Sequence, residues 1–282
     1  MAVAPVAAGS GCAFYLGAFS WPIAVLCLVL ALCLQIGVNF ANDYSDGVRG
    51  TDSRRVGPGR ITGAGKAEAK TVLTVALAFF AAGAASGIAI VVLSQQWWLL
   101  AVGALALVAA WFYTGGKRPY GYMAMGELVS GVFFGPVAVV GTVYAMTGTF
   151  EEDALLVGVA LGLLAAAAML VNNMRDIDTD RAAGKRTLAT IFGLTASRVL
   201  YALLMLVPFS LMTVYALALM YGAWPMLALL IALPAVLIVA MGRTPRDFII
   251  ALSLTGITSL ALGVGMGIAF WGGIVGFNNP YV

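Results

Sequence analysis

The chain contains no histidine, only three cysteines and few charged residues. Charged residues make up 10% of its 282 positions and hydrophobic residues 62%, with a mean hydropathy of +1.00. A water-soluble domain needs more polar surface than this composition supplies. The missing histidine excludes a histidine-held metal or haem and every nucleophile that histidine activates. The composition therefore predicts a polytopic membrane protein, in which any metal is held by oxygen ligands. Cys12, Cys27 and Cys33 lie in apolar segments, where we expect them to pack as small apolar side chains.

Long stretches without charge divide the chain into membrane spans. A helix needs about 20 apolar residues to cross the hydrocarbon layer, so uncharged runs of 42, 46 and 44 residues accommodate two crossings each and three shorter runs one each. The first span is short and rich in Gly and Ala, so a cleaved signal peptide is the alternative, although no basic segment precedes it. The nine predicted spans are 2–18, 22–42, 71–93, 98–113, 127–147, 154–172, 199–220, 225–241 and 249–274. No soluble linker separates them, which predicts a single transmembrane domain over 1–282.

The basic residues predict the orientation of the spans. Every Lys and Arg falls in one of four segments, 43–70, 114–126, 173–198 and 242–247, which share one side of a nine-span protein. Lys and Arg resist translocation, so this side is the cytoplasm. We therefore expect an integral, multi-pass cell-membrane protein with its N-terminus inside, its C-terminus outside and its site facing the cytoplasm.

Two clusters of oxygen side chains end the second and sixth predicted spans. The first contains Asn42 and Asp46 and the second Asp176 and Asp180, and each pair shares one helix face if the helix continues through it. Acids at a membrane rim are often merely solvated. The same spacing at two helix ends, each followed by a basic stretch, instead favours a shared divalent site. Mg²⁺ usually bridges a few carboxylates to substrate phosphates, and Arg and Lys supply further countercharge.

Glycines and cations in the following loops favour a phosphorylated ligand. Segment 57–66 combines four glycines with Arg60 and Lys66, and segments 113–118 and 184–187 add further cations. No Walker pattern is present, and a plain glycine-rich turn is an equal interpretation of the first segment. Because the chain has no soluble domain for a nucleoside, the predicted ligand is a lipid diphosphate whose tail lies between helices. No nucleic acid and no obligatory protein partner are inferred.

These motifs resemble those of the UbiA superfamily of intramembrane aromatic prenyltransferases, over essentially the whole chain. The resemblance rests on Asn42-Asp43-x-x-Asp46, on Tyr113-x-x-x-Lys117, and on Asn172-Asn173-x-Arg175-Asp176-x-x-x-Asp180 followed by Gly184-Lys185-Arg186-Thr187. Segments 113–122, 126–127 and 133–135 are most similar to the branch that prenylates 1,4-dihydroxy-2-naphthoate for menaquinone. Many members carry a third acid where this chain has Gly50 followed by Asp52, and the Arg-Pro stretch often found before the first span is absent.

The resemblance implies an all-α membrane protein, with nine transmembrane helices around a central cavity and cytoplasmic cap loops. It also implies Mg²⁺ as cofactor and the transfer of a polyprenyl group from an allylic polyprenyl diphosphate to dihydroxynaphthoate, with loss of CO₂ and diphosphate, giving demethylmenaquinone. The implied metal ligands are Asn42, Asp46, Asp176 and Asp180. The implied diphosphate ligands are Lys117, Arg118, Arg175, Lys185, Arg186 and Arg60.

The resemblance implies that Asp46 and Asp176 are catalytic through the metal. Other residues near the motifs have two interpretations each. Asp43 is either a structural residue or the group that binds or deprotonates the acceptor. Tyr113 either orients the diphosphate and shields the allylic cation or is structural. Glu127 either approaches the acceptor or is a helix N-terminal acid stabilised by the helix dipole. Asp178 faces another side of its helix and is either solvated or placed behind the ligands. The remaining candidates for acceptor contact or ligand support are Asn39, Asn172 and Asn173.

Three other functions fit part of the sequence. Within the family, 4-hydroxybenzoate, haem O or chlorophyll-type acceptors are alternatives. A cation transporter is also polytopic, but transporters usually place ionisable or broken-helix sites near the middle of the membrane, and here the charges lie at one rim. A CDP-alcohol phosphotransferase would carry Asp-Gly-x-x-Ala-Arg followed by spaced acids, a pattern that this chain lacks.

Overall fold

The computed structural model describes residues 1–50, 61–63, 65–116 and 119–276, with side chains to Gly273. In these ranges the chain is helical, and its β pairing is limited to one isolated bridge between Met123 and Arg186. The α-helices are α1 Val3–Tyr15, α2 Trp21–Arg49, α3 Ala69–Ser94, α4 Leu99–Phe112, α5 Gly126–Val132, α6 Ala138–Thr147, α7 Glu152–Arg175, α8 Ile177–Ala182, α9 Leu188–Ala218, α10 Leu229–Met241 and α11 Pro245–Gly276. A π-helical turn, Phe133–Val137, joins α5 to α6, and 3₁₀ turns cover Tyr120–Tyr122 and Trp224–Ala228.

Within the described part of the chain, seven helical segments are long and apolar enough to cross a membrane. They are α2, α3, the α5–α6 unit, α7, α9, the unit Trp224–Met241 and α11. α1 has 13 residues and α4 has 14, so at about 1.5 Å per residue each falls short of a hydrocarbon layer of about 30 Å. The multi-pass membrane architecture is thus confirmed in its coarse form, while crossing by α1 and α4 stays a prediction.

Three helices extend beyond their predicted spans at the ends that carry the motifs, among them α7, which continues to Arg175 instead of ending at 172. α2 continues to Arg49, where Gly50 ends it in the left-handed conformation (φ 73°). α9 begins at Leu188 instead of 199, where the Thr187 hydroxyl accepts from the Thr190 N–H at 3.2 Å to cap it. A non-helical backbone at Gly193 (φ 76°, ψ 171°) interrupts the helix after its first turn. Charge density marks where a helix leaves the apolar layer, but it does not end the helix, because capping groups do that.

The densest packing surrounds α7. Leu161, Leu164 and Leu170 on this helix are inaccessible to solvent or nearly so, in one core cluster with residues of α9, α10 and α11. α1 joins this core through close backbone contact with α11. A Cβ built on Gly11 would lie 2.5 Å from the Cα of Gly267, so the contact requires glycine at that position. This packing fixes α7 and therefore the position of the second motif at its end.

The segments that carry the polar motifs contact one another at one end of the bundle. We call this region, residues 42–50, 113–116, 119–124 and 172–187, the motif end. Asp43 on α2 binds the backbone of Ile61 and Thr62, and the backbones of Tyr122 and Arg186 are hydrogen-bonded to each other. Residues distant in sequence are therefore close enough to form one site.

Candidate functional site

The first motif lies on the last turns of α2. Because α2 continues through it, Asn42 and Asp46 lie one turn apart on the same face. The Thr114 hydroxyl donates to Asn42 Oδ1 at 2.7 Å, and the Tyr122 hydroxyl donates to Asp46 Oδ1 at 2.5 Å. Asp46 is buried, with 6% exposure. Both polar side chains thus meet the 113–124 segment.

Asp43 faces the loop that follows α2. Its two carboxylate oxygens accept the backbone N–H groups of Ile61 and Thr62 at 2.8 and 2.9 Å. These bonds anchor the loop to the helix, which is the arrangement expected of the structural interpretation. An anchoring role does not by itself assign Asp43 to the acceptor.

The second motif lies at the break between α7 and α8. Asp176 occupies the break, yet the Asp180 N–H still donates to the Asp176 carbonyl at 2.8 Å, which keeps the two residues one turn apart. Both carboxylates are buried, at 7% and 8% exposure. Arg175 donates to both oxygens of Asp176, from Nε at 2.8 Å and from Nη2 at 2.6 Å. Lys185 Nζ lies 3.5 Å from Asp180 Oδ1.

Tyr122 connects the two motifs. Arg49 Cζ lies 5.5 Å and Lys185 Nζ 5.6 Å from the centroid of its ring, both within the range of cation–π attraction. The Tyr122 carbonyl accepts from the Arg186 N–H at 3.2 Å, and the Arg186 carbonyl accepts from the Ala124 N–H at 3.0 Å. Asp46 and Asp180 are therefore linked through Tyr122 and Lys185.

Arg49 was missed by the sequence analysis, and Tyr122 entered it only as part of a resemblance. The Arg49 side chain is exposed and donates to the carbonyl of Gly116. The available signal was its position three residues after Asp46, since residues at that spacing lie on neighbouring positions of a helix surface.

Glu127 and Asn173 form a buried polar pair behind the second motif. Glu127 is 2% exposed and Asn173 4%, and Asn173 Nδ2 donates to Glu127 Oε1 at 2.9 Å. Glu127 Oε2 is buried and has no hydrogen-bond partner among the described residues. The hydrogen bond between Glu127 on α5 and Asn173 on α7 therefore links these two helices.

The other predicted site residues that the structure describes have half-buried or exposed side chains. Asn172 is half-buried and its carbonyl accepts from the Asp176 N–H at 3.3 Å, whereas the side chains of Asn39 and Arg186 are exposed. The Asp178 side chain is 93% exposed and lies 3.9 Å from Arg181. Arg60, Lys117 and Arg118 lie outside the described residues.

An apolar cavity of about 430 Å³ begins beside the motif end. Tyr113, Tyr120 and Gly126 line it there, and Leu99 and Ala145 line it near the opposite ends of their helices. Among the residues that the structure describes, no charged side chain lines it. The Tyr113 and Tyr120 rings pack edge to face, with centroids 5.5 Å apart.

The cavity lies in the N-terminal half of the bundle. Its lining comes from α1 to α6 with their connections and from Met169 of α7, and α8 to α11 contribute no lining residue in the described part of the chain. α4 forms one wall and has no buried residue, because one face lines the cavity and another faces outward. The cavity is therefore bounded by the densely packed C-terminal half on one side and by a single layer of helix on the other.

The oxygen side chains at the motif end fit Mg²⁺ in one specific way. Among the described residues, no three carboxylates or cysteines form a ready-made metal cage. The donors instead arrive as pairs from two sides, on α2 and at the α7–α8 break, with cations beside them. Mg²⁺ is commonly held by one or two carboxylates together with substrate phosphates, so this arrangement suits an ion that binds along with a phosphate ligand.

Comparison with curated proteins identifies close relatives. The 1,4-dihydroxy-2-naphthoate octaprenyltransferase of Mycobacterium tuberculosis is 45% identical over 271 residues, which are 95% of this chain and 92% of the relative. The enzyme of the same name from Escherichia coli is 35% identical over 238 residues, or 82% of this chain and 77% of the relative.

Solved structures share the fold. The apo structure of a UbiA homologue from Aeropyrum pernix matches with a TM-score of 0.72 at 17% identity, covering 95% of this chain and 96% of that one. A UbiA homologue from Archaeoglobus fulgidus bound to GPP and Mg²⁺ matches with a TM-score of 0.62 at 19% identity, covering 95% of both chains. The family model for UbiA prenyltransferases matches residues 2–248. The chain belongs to the UbiA prenyltransferase family.

Proposed function

We propose that this membrane prenyltransferase transfers a polyprenyl group from an allylic polyprenyl diphosphate to 1,4-dihydroxy-2-naphthoate, releasing diphosphate and CO₂ and giving demethylmenaquinone. One observation carries the proposal: an uncharged cavity begins at Tyr113, next to a motif end that combines buried carboxylates with cations. This pairing suits a ligand with an anionic head and a hydrocarbon tail. The acceptor is proposed from the naphthoate enzymes that are 45% and 35% identical to the chain.

Four oxygen side chains would hold the metal. Asn42 and Asp46 would bind from α2, and Asp176 and Asp180 from the α7–α8 break. Mg²⁺ bound there would supply positive charge to the diphosphate as its allylic C–O bond breaks, where such stabilisation is worth most. A solved relative carries Mg²⁺ together with GPP, which supports the same pairing here.

The neighbouring cations would bind the diphosphate. Lys185 lies beside Asp180, and Arg175 is paired with Asp176, so both are close to the proposed metal ligands. Binding of the diphosphate would give the Arg175 guanidinium a second anionic partner. The further proposed diphosphate ligands are Arg186, Lys117, Arg118 and Arg60.

The cavity and its mouth would orient the reacting carbon. The hydrocarbon tail would lie along the apolar lining, and Tyr113, at the mouth, would shield the allylic cation or orient the diphosphate. Asp43 would serve the acceptor side through the 61–62 loop that it anchors. Glu127 and Asn173 would hold α5 and α7 in place behind these groups.

The proposed topology places this site at the cytoplasmic face of the cell membrane. The chain would form one domain that crosses the bilayer nine times, with α1 and α4 as its short crossings. The basic residues of the four connecting segments support this orientation.

Purified protein in lipid nanodiscs, given labelled polyprenyl diphosphate, tests the proposal. With Mg²⁺ and 1,4-dihydroxy-2-naphthoate, we expect demethylmenaquinone and one CO₂ per transfer, and chelation should stop the reaction. Faster transfer to 4-hydroxybenzoate would overturn the acceptor assignment. Ion-coupled transport in liposomes without any prenyl transfer would overturn the assignment as an enzyme.

A further inference from the structure

We propose that Tyr122 is a positioning residue that couples the two motifs, and that Arg49 is a further cation for the diphosphate. The inference rests on the proposed function and adds two side chains to it. The contacts of Tyr122 reach both motifs: its hydroxyl meets Asp46 and its ring meets Lys185, which pairs with Asp180.

The hydroxyl of Tyr122 fixes the orientation of Asp46. A carboxylate offers about four lone-pair directions, and the phenol occupies one of them at 2.5 Å from Oδ1. Partners of this kind, which orient a metal ligand without touching the metal, typically change metal affinity or activity about 10- to 100-fold when they are removed. The hydroxyl should therefore act on metal affinity.

The ring of Tyr122 holds two cations from different parts of the chain. Arg49 comes from the end of α2 and Lys185 from the loop after α8, and both lie within 5.6 Å of the ring centroid. The two positive charges beside one ring raise the positive potential around it, which attracts a multiply charged anion. The exposed Arg49 head group is free of any carboxylate partner among the described residues, so it is available to a diphosphate.

The backbone keeps the ring in this position. The Tyr122 N–H donates to the Pro119 carbonyl at 3.1 Å, and the Tyr122 carbonyl accepts from Arg186, which ties the segment to the loop that carries Lys185. A change in the side chain should therefore alter the contacts at the site without releasing the segment.

Two substitutions separate the roles of the hydroxyl and the ring. Tyr122→Phe keeps the ring and removes the bond to Asp46, so we expect the Mg²⁺ concentration for half-maximal rate to rise about tenfold, with the KM for prenyl diphosphate at saturating Mg²⁺ within about twofold. Tyr122→Leu also removes the ring and should raise both quantities.

Arg49→Gln should raise the KM for prenyl diphosphate alone. Tyr144→Phe, which loses a hydroxyl bond to Gln96 away from the motif end, is the matched control.

A binding measurement without turnover completes the test. Mn²⁺ with inorganic diphosphate should raise the unfolding temperature of the wild-type protein and the Tyr144→Phe variant, and Tyr122→Phe should need about tenfold more Mn²⁺ for the same rise. Wild-type Mg²⁺ dependence and Mn²⁺ protection in Tyr122→Phe would overturn the role of Tyr122. An unchanged KM in Arg49→Gln, whose exposed side chain tolerates replacement, would overturn the role of Arg49. The protein could also show the Tyr122-dependent rise in unfolding temperature with Mn²⁺ and diphosphate but transfer no prenyl group. That result would refute the proposed function and leave this inference intact.

Discussion

Three of the buried carboxylates at the motif end each have a polar side chain as partner. Asp46 is bound by Tyr122, Asp176 by Arg175 and Asp180 by Lys185, at exposures of 6 to 8%. A buried acid is costly unless it is paired or hydrogen-bonded. These partners therefore offset part of the cost of burying the three carboxylates.

Neutralising either motif should abolish turnover. Asp46→Asn and Asp176→Asn each keep the shape of the side chain and remove a charge that the proposed metal needs, so we expect rates at least about 100-fold lower. Asp178→Asn is the matched control, because this neighbour in the second motif is 93% exposed. Single-turnover assays on folded protein measure the difference, and equal losses in all three variants would contradict the assigned ligand set.

The buried pair of Glu127 and Asn173 should contribute to stability. Asn173→Ala removes the donor to Glu127 Oε1 and leaves a 2% exposed carboxylate without that bond. We expect a loss of about 1–3 kcal/mol in the free energy of unfolding. The Glu127→Ala, Asn173→Ala double variant should lose less than the sum of the single losses. Strictly additive losses in detergent unfolding experiments would show that the pair is not coupled.

The sequence predicts the paired oxygen side chains but not their partners. A spacing of four is enough to place Asn42 and Asp46 on one helix face. Their partners Thr114 and Tyr122 stand 72 and 76 positions away, and nothing in the local pattern encodes contacts at that separation. The bidentate pairing of Arg175 with Asp176 depends on the break after α7, which the helical pattern of the motif does not reveal.

At the scale of elements, hydropathy predicts where helices lie better than where they end. All nine predicted spans contain an apolar helix, because an apolar run of that length has no other stable arrangement in lipid. α9 nevertheless begins at Leu188, since its start is determined by the Thr187 cap. The position of the cavity depends on which helices pack tightly. Small residues do not predict this, because Gly83 and Ala84 line the cavity whereas Ala165 and Ala167 are buried in the core.

Filling the cavity from α6 should select against long prenyl chains. Gly141 lines the cavity, and a Cβ built there meets no atom within 4 Å, so Gly141→Leu adds bulk without a clash at its Cβ. We expect kcat/KM for an octaprenyl diphosphate to fall about tenfold relative to that for geranyl diphosphate. Gly256→Leu on α11, equally open at its Cβ but outside the cavity lining, is the control. Equal effects of Gly141→Leu on both substrates would show that the tail does not reach this part of the cavity.

Two parts of the whole molecule differ in how tightly they pack and in which motif they carry. α7 to α11, together with residues of α1 and α6, form a dense core that holds the second motif, whereas the apolar cavity lies mostly among α1 to α6 and the first motif lies on α2. The motif end joins the two parts through Tyr122, Arg186 and Lys185. The motif end therefore lies beside both the dense core and a cavity that has only one layer of helix, α4, along part of its wall.

In the proposed mechanism, both motifs bind one set of divalent ions around a shared diphosphate. The most direct measurement is anomalous scattering from crystals grown with Mn²⁺ and a geranyl diphosphate analogue whose bridging oxygen is replaced by sulfur. We expect manganese between the Asn42–Asp46 face of α2 and the Asp176–Asp180 turn. The diphosphate should lie beside Lys185, and the geranyl chain should enter the cavity at Tyr113. Manganese bound to only one of the two motifs, or a diphosphate elsewhere on the protein, would contradict it.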